Sequence, residues 1–231
     1  MVESINKNNK NKMINKIRSK YIVIEIFKHL NLIKLLNVIR YSKKYQKLMN
    51  KNLKSYKNEF WKIEIEIIPK ENAHGQFINI PSENIRKSIH IYFNDNEKEI
   101  MDDSFKKDDN VSKIKIIINS KTKYLSHLFS YCGCMKKINF IKFYRNDIKN
   151  MSCMFDFCSS LKELNLSNFN TKNVTNVSCM FRYCRSLKEL NLSNFNSTNI
   201  IDTGWIFNGC NTELYSICTD ELIRKANKSR M

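Results

Sequence analysis

The chain is poor in the residues that loosen or punctuate a polypeptide: its 231 residues include only 4 glycines and 2 prolines. That composition excludes long flexible linkers and collagen-like or proline-rich structures, and it leaves almost nothing from which to build a glycine-rich phosphate loop. No stretch reaches the ~18 uninterrupted apolar residues that a membrane-spanning helix requires. The opening run MVESINKNNKNKMINKIRSK is predominantly polar, and the apolar stretch after it is interrupted by Glu25, Lys28, His29 and Lys34, so no secretory signal is read there. Cysteine is absent from the first 131 residues; all eight lie between Cys132 and Cys218. Together these features lead us to expect a soluble, reduced protein of the cell interior, in the cytoplasm rather than at the cell surface.

Charge of one sign dominates instead. The formal net charge is +18, and residues 1–60 alone carry 15 Lys/Arg against 3 acids, which is +12. Lys7, Lys10, Lys12, Lys16, Arg18 and Lys20 could meet the phosphates of a nucleic acid or an anionic membrane surface. A lysine-rich tail also reads simply as a solvated arm, and the abundance of Lys, Asn and Ile is equally a compositional bias of the source. At this length there is room for one sizeable domain or two small ones.

The strongest pattern is an internal repeat. CSSLKELNLSNFNTKNVTNVSCMFRY, from Cys158 to Tyr183, is followed without a gap by CRSLKELNLSNFNSTNIIDTGWIFNG, from Cys184 to Gly209. Phe129, Phe155, Phe181 and Phe207 stand 26 residues apart, as do Cys132, Cys158, Cys184 and Cys210. The copy from Cys132 keeps the apolar positions Met135, Ile138, Phe140, Phe143, Ile148, Met151, Met154 and Phe155. A still earlier coil is suggested by Val111, Ile114 and Ile116. Leu161, Leu164 and Leu166 form the L-x-x-L-x-L pattern of a leucine-rich repeat, whose short strand turns its leucines inward. The spacing of Val174, Val177, Met180 and Phe181 predicts one to two helical turns over residues 174–183. A single unit cannot stand alone: about nine buried apolar side chains at ~2 kcal/mol each fall short of ordering 26 residues at ~1–2 kcal/mol each. Stacking is therefore obligatory, with parallel strands about 4.8 Å apart and equivalent side chains in ladders. The ladder cysteines are expected inside as small hydrophobes, unbridged because their Cβ vectors run parallel. The recurring asparagines Asn168, Asn170, Asn173 and Asn176 are expected to bond their own backbone in tight bends.

These residues resemble the BspA-like family of leucine-rich repeats across roughly residues 132–211. The resemblance implies a non-enzymatic protein-binding surface, and many relatives are cell-surface adhesion proteins. Further upstream, the run I-E-I-F-K-H-L-N-L-I-K-L-L within residues 20–50 is similar to an F-box, although Lys20 and Tyr21 stand where that family has Leu-Pro. The similarity implies docking on a Skp1-type adaptor and a substrate-receptor role in a ubiquitin ligase. A plain helical cap is the other reading of the same residues.

The expected fold is α+β: a helical amino-terminal cap followed by a short leucine-rich-repeat β/α solenoid with parallel strands. Its parts are a basic, disordered arm over 1–19, a helical F-box-like segment over 20–60, a mixed strand and loop connection over 61–110, the BspA-like solenoid over 111–211 and a helical cap over 212–231. Trp61, Ile63, Ile65 and Ile67 alternate, as do Ile89, Ile91 and Phe93, which predicts strands in the connection. No catalytic, cofactor or metal constellation is read: the histidines His29, His74, His90 and His127 are scattered, and Cys132, Cys134, Cys153 and Cys158 read as repeat positions with Cys134 as the one extra, rather than as zinc ligands. The function expected is that of a binding scaffold, not an enzyme. Its partner-binding face is expected on the exposed strand positions, in one row of Lys137, Glu163 and Glu189 and another of Asn139, Asn165 and Asn191.

Overall fold

A computed structural model describes residues 43–48, 61–80, 82–119, 122–211, 214–217 and 220–228. The chain divides into two units, Met1–Phe60 and Trp61–Met231. Of the first, the described part is one short helix, α1 (Lys43–Leu48). The arm over 1–19 and the helical F-box-like segment over 20–60, apart from residues 43–48, lie outside the described residues.

The second unit is organised by a seven-stranded mixed sheet. Strand β1 (Ile63–Pro69) buries Ile63, Ile65 and Ile67 on one face, the period-two pattern of a half-buried strand. A two-residue strand β2 (Gly75–Gln76) precedes helix α2 (Glu83–Arg86), whose Ser82 N-cap hydroxyl accepts from the Ile85 amide. Strands β3 (Ile89–Phe93), β4 (Ser104–Phe105) and β5 (Ile114–Ile118) follow. The repeats supply β6 (Met135–Lys142), β7 (Glu163–Asn165) and β8 (Glu189–Asn191), and the chain continues through β9 (Tyr215–Ile217) to α3 (Glu221–Lys228).

The sheet order is β3-β5-β1-β6-β7-β8-β9, and β2 pairs with β4 separately. One half is antiparallel: β5 lies between β3 and β1, and β1 in turn lies antiparallel along β6. The other half is parallel, with Ile138, Leu164 and Leu190 in register on β6, β7 and β8. Between the strands, residues 124–131, 150–157, 176–183 and 202–209 form a second column of turns, tied by bridges at Tyr124–Asn150, Asn150–Asn176 and Asn176–Asp202.

The architecture corrects the expected fold class. The described residues are mostly β, with few and short helices, rather than a helical cap leading into a leucine-rich-repeat β/α solenoid. Two physical reasons stand behind this. First, the isoleucines at 114, 116 and 118 do not open a parallel stack; β5 pairs antiparallel with β1 and β3, so β1 is the strand that flanks the repeats. Second, the helix expected over 174–183 is a run of turns. Cys179 and Tyr183 adopt left-handed backbone, φ 54° and 55°, which a right-handed helix cannot contain. Their amides, with those of Val177 and Phe181, donate to Gly204, Asn208, Asp202 and Ile206 of the next repeat at 2.8–3.0 Å instead of to residues four back.

Aromatic ladders fill the interior. Phe129, Phe155, Phe181 and Phe207 stack ring on ring, 5.7, 5.9 and 5.5 Å apart and within 13° of parallel. Phe143 and Phe169 make a second stack at 4.0 Å. Arg145 is fully buried; it holds Asp147 through two hydrogen bonds, donates to the Thr122 carbonyl and lies 4.9 Å over the Trp61 ring. Among the described residues, no helix is long and apolar enough to cross a membrane.

Candidate functional site: the exposed strand face

The pleat puts Leu164 and Leu190 inside and their neighbours outside, so the six residues expected at a partner surface are brought together. Lys137, Glu163 and Glu189 are paired in register across β6, β7 and β8, and Asn139, Asn165 and Asn191 form the adjoining row. They line one open depression of about 510 Å³.

The polar atoms of this face are partly committed. Lys137 Nζ lies 2.6 Å from Glu163 Oε2, and the pairing holds the Glu163 carboxyl below, and the Lys137 ammonium above, its ordinary value. Both side chains are about half exposed, so solvent screens the pair and its worth is in orientation more than in stability. The Oδ1 atoms of Asn165 and Asn191 accept from the Ser167 and Ser193 amides at 2.9 and 3.0 Å. These bonds fix each carboxamide; of the asparagines expected to bond their own backbone, Asn170 and Asn176 likewise accept from the Lys172 and Ser178 amides, whereas Asn173 Nδ2 donates to the Asn146 carbonyl of the preceding repeat.

The rows are longer than the repeat pattern indicated. Glu66 on β1 pairs opposite Asn139, and Lys115 on β5 pairs opposite Glu66, so one row reads Lys115, Glu66, Asn139, Asn165, Asn191. Nothing local in the sequence could have marked Glu66 or Lys115, because β1 and β5 carry no repeat.

A second surface was also missed. Along the turn column Tyr131 stacks on Phe157 at 4.7 Å and Phe157 meets Tyr183 at 4.4 Å with the rings tilted by 37°, all three in left-handed backbone. Arg182 lies over the Phe157 ring and, with Nε and Nη2 at 2.9 and 2.7 Å, grips both carboxylate oxygens of the buried Asp156. The 26-residue spacing was visible; the left-handed conformation that turns these rings outward was not.

The cysteines are structural donors. The Sγ of Cys158, Cys184 and Cys210 each donates to the carbonyl of a phenylalanine in the repeat before, Phe129, Phe155 and Phe181, at 3.1, 3.1 and 2.9 Å. Each of these carbonyls also accepts from a backbone amide, those of Cys132, Cys158 and Cys184 at 3.1, 3.2 and 3.1 Å, so the thiol fills the second lone pair of a carbonyl already paired. Among the described residues all cysteines are free and no group of His, Cys, Asp or Glu is arranged to hold a metal ion. Burial pushes the Cys134 and Cys153 thiols from 9.0 up to about 11, and those of Cys132, Cys158 and Cys184 higher still. A thiol held protonated is a poor nucleophile.

A pH dependence follows. These thiols bind their protons more tightly folded than unfolded, so their contribution is fully present below pH 9.0 and is lost as pH rises toward 11. Urea midpoints are expected to fall between about pH 8.5 and 10.5, and to fall less in the C134A/C153A variant. A midpoint that holds or rises over that interval would contradict the thiol assignment.

A family model described as "Mycoplasma protein of unknown function, DUF285" matches residues 99–218, just over half of the chain. No curated protein and no solved structure matches. This corrects the resemblance drawn from the repeat: the family matched is neither the BspA-like leucine-rich repeats nor the F-box, and with the F-box the argument for a Skp1-type adaptor falls. The repeat motif was read through its leucines, whereas the match begins before the repeats, at residue 99, and takes in β4 and β5.

Proposed function

The chain belongs to the DUF285 family of Mycoplasma proteins of unknown function, and from that premise we propose that it is a non-enzymatic binding module that recognises a protein partner through the exposed strand face. The observation that carries this reading is the in-register array of Lys137, Glu163 and Glu189 beside Asn139, Asn165 and Asn191 over one open depression. Because the Oδ1 atoms of Asn165 and Asn191 are held by the backbone, their amide nitrogens are the atoms left to donate outward, and Glu189 offers an acceptor beside them. The fitting partner presents carbonyl or carboxylate acceptors to the asparagine row and a donor to Glu189. The buried thiols, held protonated by burial, support a scaffold rather than a nucleophilic enzyme.

The test uses N165D/N191D, which keeps the Oδ1 acceptors for Ser167 and Ser193 while removing the outward donors. Partners captured from source-cell lysate by the full chain are expected to bind this variant, and Glu189→Lys, about tenfold more weakly or worse. Unchanged affinity in both would place the partner on another face. The +12 charge of residues 1–60 favours a second reading, in which residues 1–20 bind nucleic acid or an anionic membrane. A salt-sensitive gel shift abolished by deleting residues 1–20 would support it, and no binding at low salt would dismiss it.

A further inference from the structure

The turn column has two unlike ends. At alternate residues of the column, such as Val177, Cys179, Phe181 and Tyr183, the amides donate toward the following repeat, whose carbonyls accept from the preceding one. At the first repeat two of the outward carbonyls are capped by Asn79, whose amide donates to the Leu128 carbonyl at 2.8 Å and whose Nδ2 donates to that of Ser130 at 2.5 Å, and a third, that of Tyr124, accepts from the Thr122 hydroxyl. At the last repeat the amides of Thr203, Trp205, Phe207 and Gly209, the counterparts of those that join repeat to repeat, have no acceptor among the described residues. Where a fifth turn would supply one, the chain forms α3 instead. Between α3 and the turn lies an open groove of about 520 Å³.

We propose that this groove binds an extended acidic peptide, whose carboxylate and main-chain carbonyl oxygens take the place of the missing fifth turn. A row of amides with left-handed residues at Trp205 and Gly209, φ 53° and 68°, carries partial positive charge, the arrangement that binds anionic oxygens, while the Asp202 carboxylate takes only the Gly204 amide, at 2.9 Å. Phe207 is buried, so its unpaired amide is costly to leave without an acceptor. Lys225 stands on the opposite wall, and its exposed ion pair with Glu221 is weak enough to exchange for a ligand carboxylate. Trp205 and Leu222, 71% and 40% exposed, supply apolar surface for the peptide's alternate side chains. Residues 61–231, which hold the groove, carry 25 Lys/Arg against 19 Asp/Glu, a net +6 that favours acidic segments. A second copy of the chain is a poor occupant, because Asn79 already takes the Leu128 and Ser130 carbonyls that it would have to offer. The site is separate from the strand face and does not depend on its role.

The test is a titration of the full chain with an acetylated hexapeptide alternating glutamate and valine, read by Trp205 fluorescence and by amide resonances. Saturable binding is expected, with shifts confined to Thr203, Trp205, Phe207, Gly209 and α3. Trp205→Ser is expected to weaken it about tenfold, and a glutamine-for-glutamate peptide to bind at least about tenfold more weakly. Both Trp205 and Lys225 are exposed, so W205S and K225Q should keep the wild-type circular dichroism spectrum. The proposal is overturned by no saturation, by equal binding of the glutamine peptide, by tighter binding of inorganic phosphate or a short RNA than of the peptide, or by self-association that perturbs the same amides.

Discussion

Phe181→Ala is expected to destabilise the fold by about 3–5 kcal/mol, the range for removing a fully buried aromatic side chain. Phe181 is the third rung of the phenylalanine ladder, stacked on Phe155 at 5.9 Å and on Phe207 at 5.5 Å. Truncation opens a cavity between the Phe155 and Phe207 rings; the Phe155 amide is held by the Met180 carbonyl and the Phe207 carbonyl by the Cys210 amide, so the site cannot collapse easily. The repeat C-terminal to it then loses its packing partner, and amide exchange should accelerate more across residues 200–210 than across β1 or β5. Chemical denaturation checks the magnitude. A loss below about 1 kcal/mol would mean that the ladder is not the element that couples the repeats.

Arg182→Ala is expected to cost about as much for a different reason. Asp156 has a side chain only 2% exposed, and its two oxygens are held by the Arg182 guanidinium, itself 28% exposed. Deleting the arginine strands a buried carboxylate, a loss of about 3–5 kcal/mol. Replacing both partners by apolar residues, R182M/D156L, should recover most of that loss, since the pair's attraction is largely offset by the cost of taking it out of water. A double variant no more stable than the single one would show that Asp156 serves some purpose other than pairing with Arg182. The guanidinium also covers the Phe157 and Tyr183 rings at 5.5 and 5.9 Å, so some loss from that contact should persist in the double variant.

How much of this was legible in the residues differs from element to element. The alternation at Ile63, Ile65 and Ile67 and at Ile89 and Ile91 marked strands, because a half-buried strand exposes every second side chain. Which strands pair was not legible: the same alternation permits any neighbour, and β1 joins β6 and β5 across intervals of more than 45 residues. The spacing of Val174, Val177, Met180 and Phe181 suits a helix and a tight turn column equally well. Left-handed backbone at Cys179 and Tyr183 decides for the turns, and no local residue preference announces it, since such backbone is uncommon outside glycine and asparagine. The ladder cysteines were recognised as interior, but their thiol bonds to the carbonyls of Phe129, Phe155 and Phe181 join residues 29 apart and emerge only once the repeats stack.

For the candidate face, the two rows were countable from the 26-residue period, because identical register follows when identical units stack. Their extension through Glu66 and Lys115, the anchoring of Asn165 and Asn191 and the Lys137–Glu163 pair belong to the tertiary structure.

By itself, then, the sequence determined that the chain repeats every 26 residues, that Phe129, Phe155, Phe181 and Phe207 share one environment, and that single repeats must stack, because periodic apolar residues have no other way to leave water. Only the tertiary structure decided that an antiparallel sheet half flanks the stack, that the inter-strand segments are turns rather than helices, and that one end of the turn column is capped by Asn79 while the other leaves its amides open. The physical reason is that hydrophobic periodicity specifies which side chains are buried. Backbone hydrogen bonds must also all find partners, and the partners here lie in other repeats and other strands.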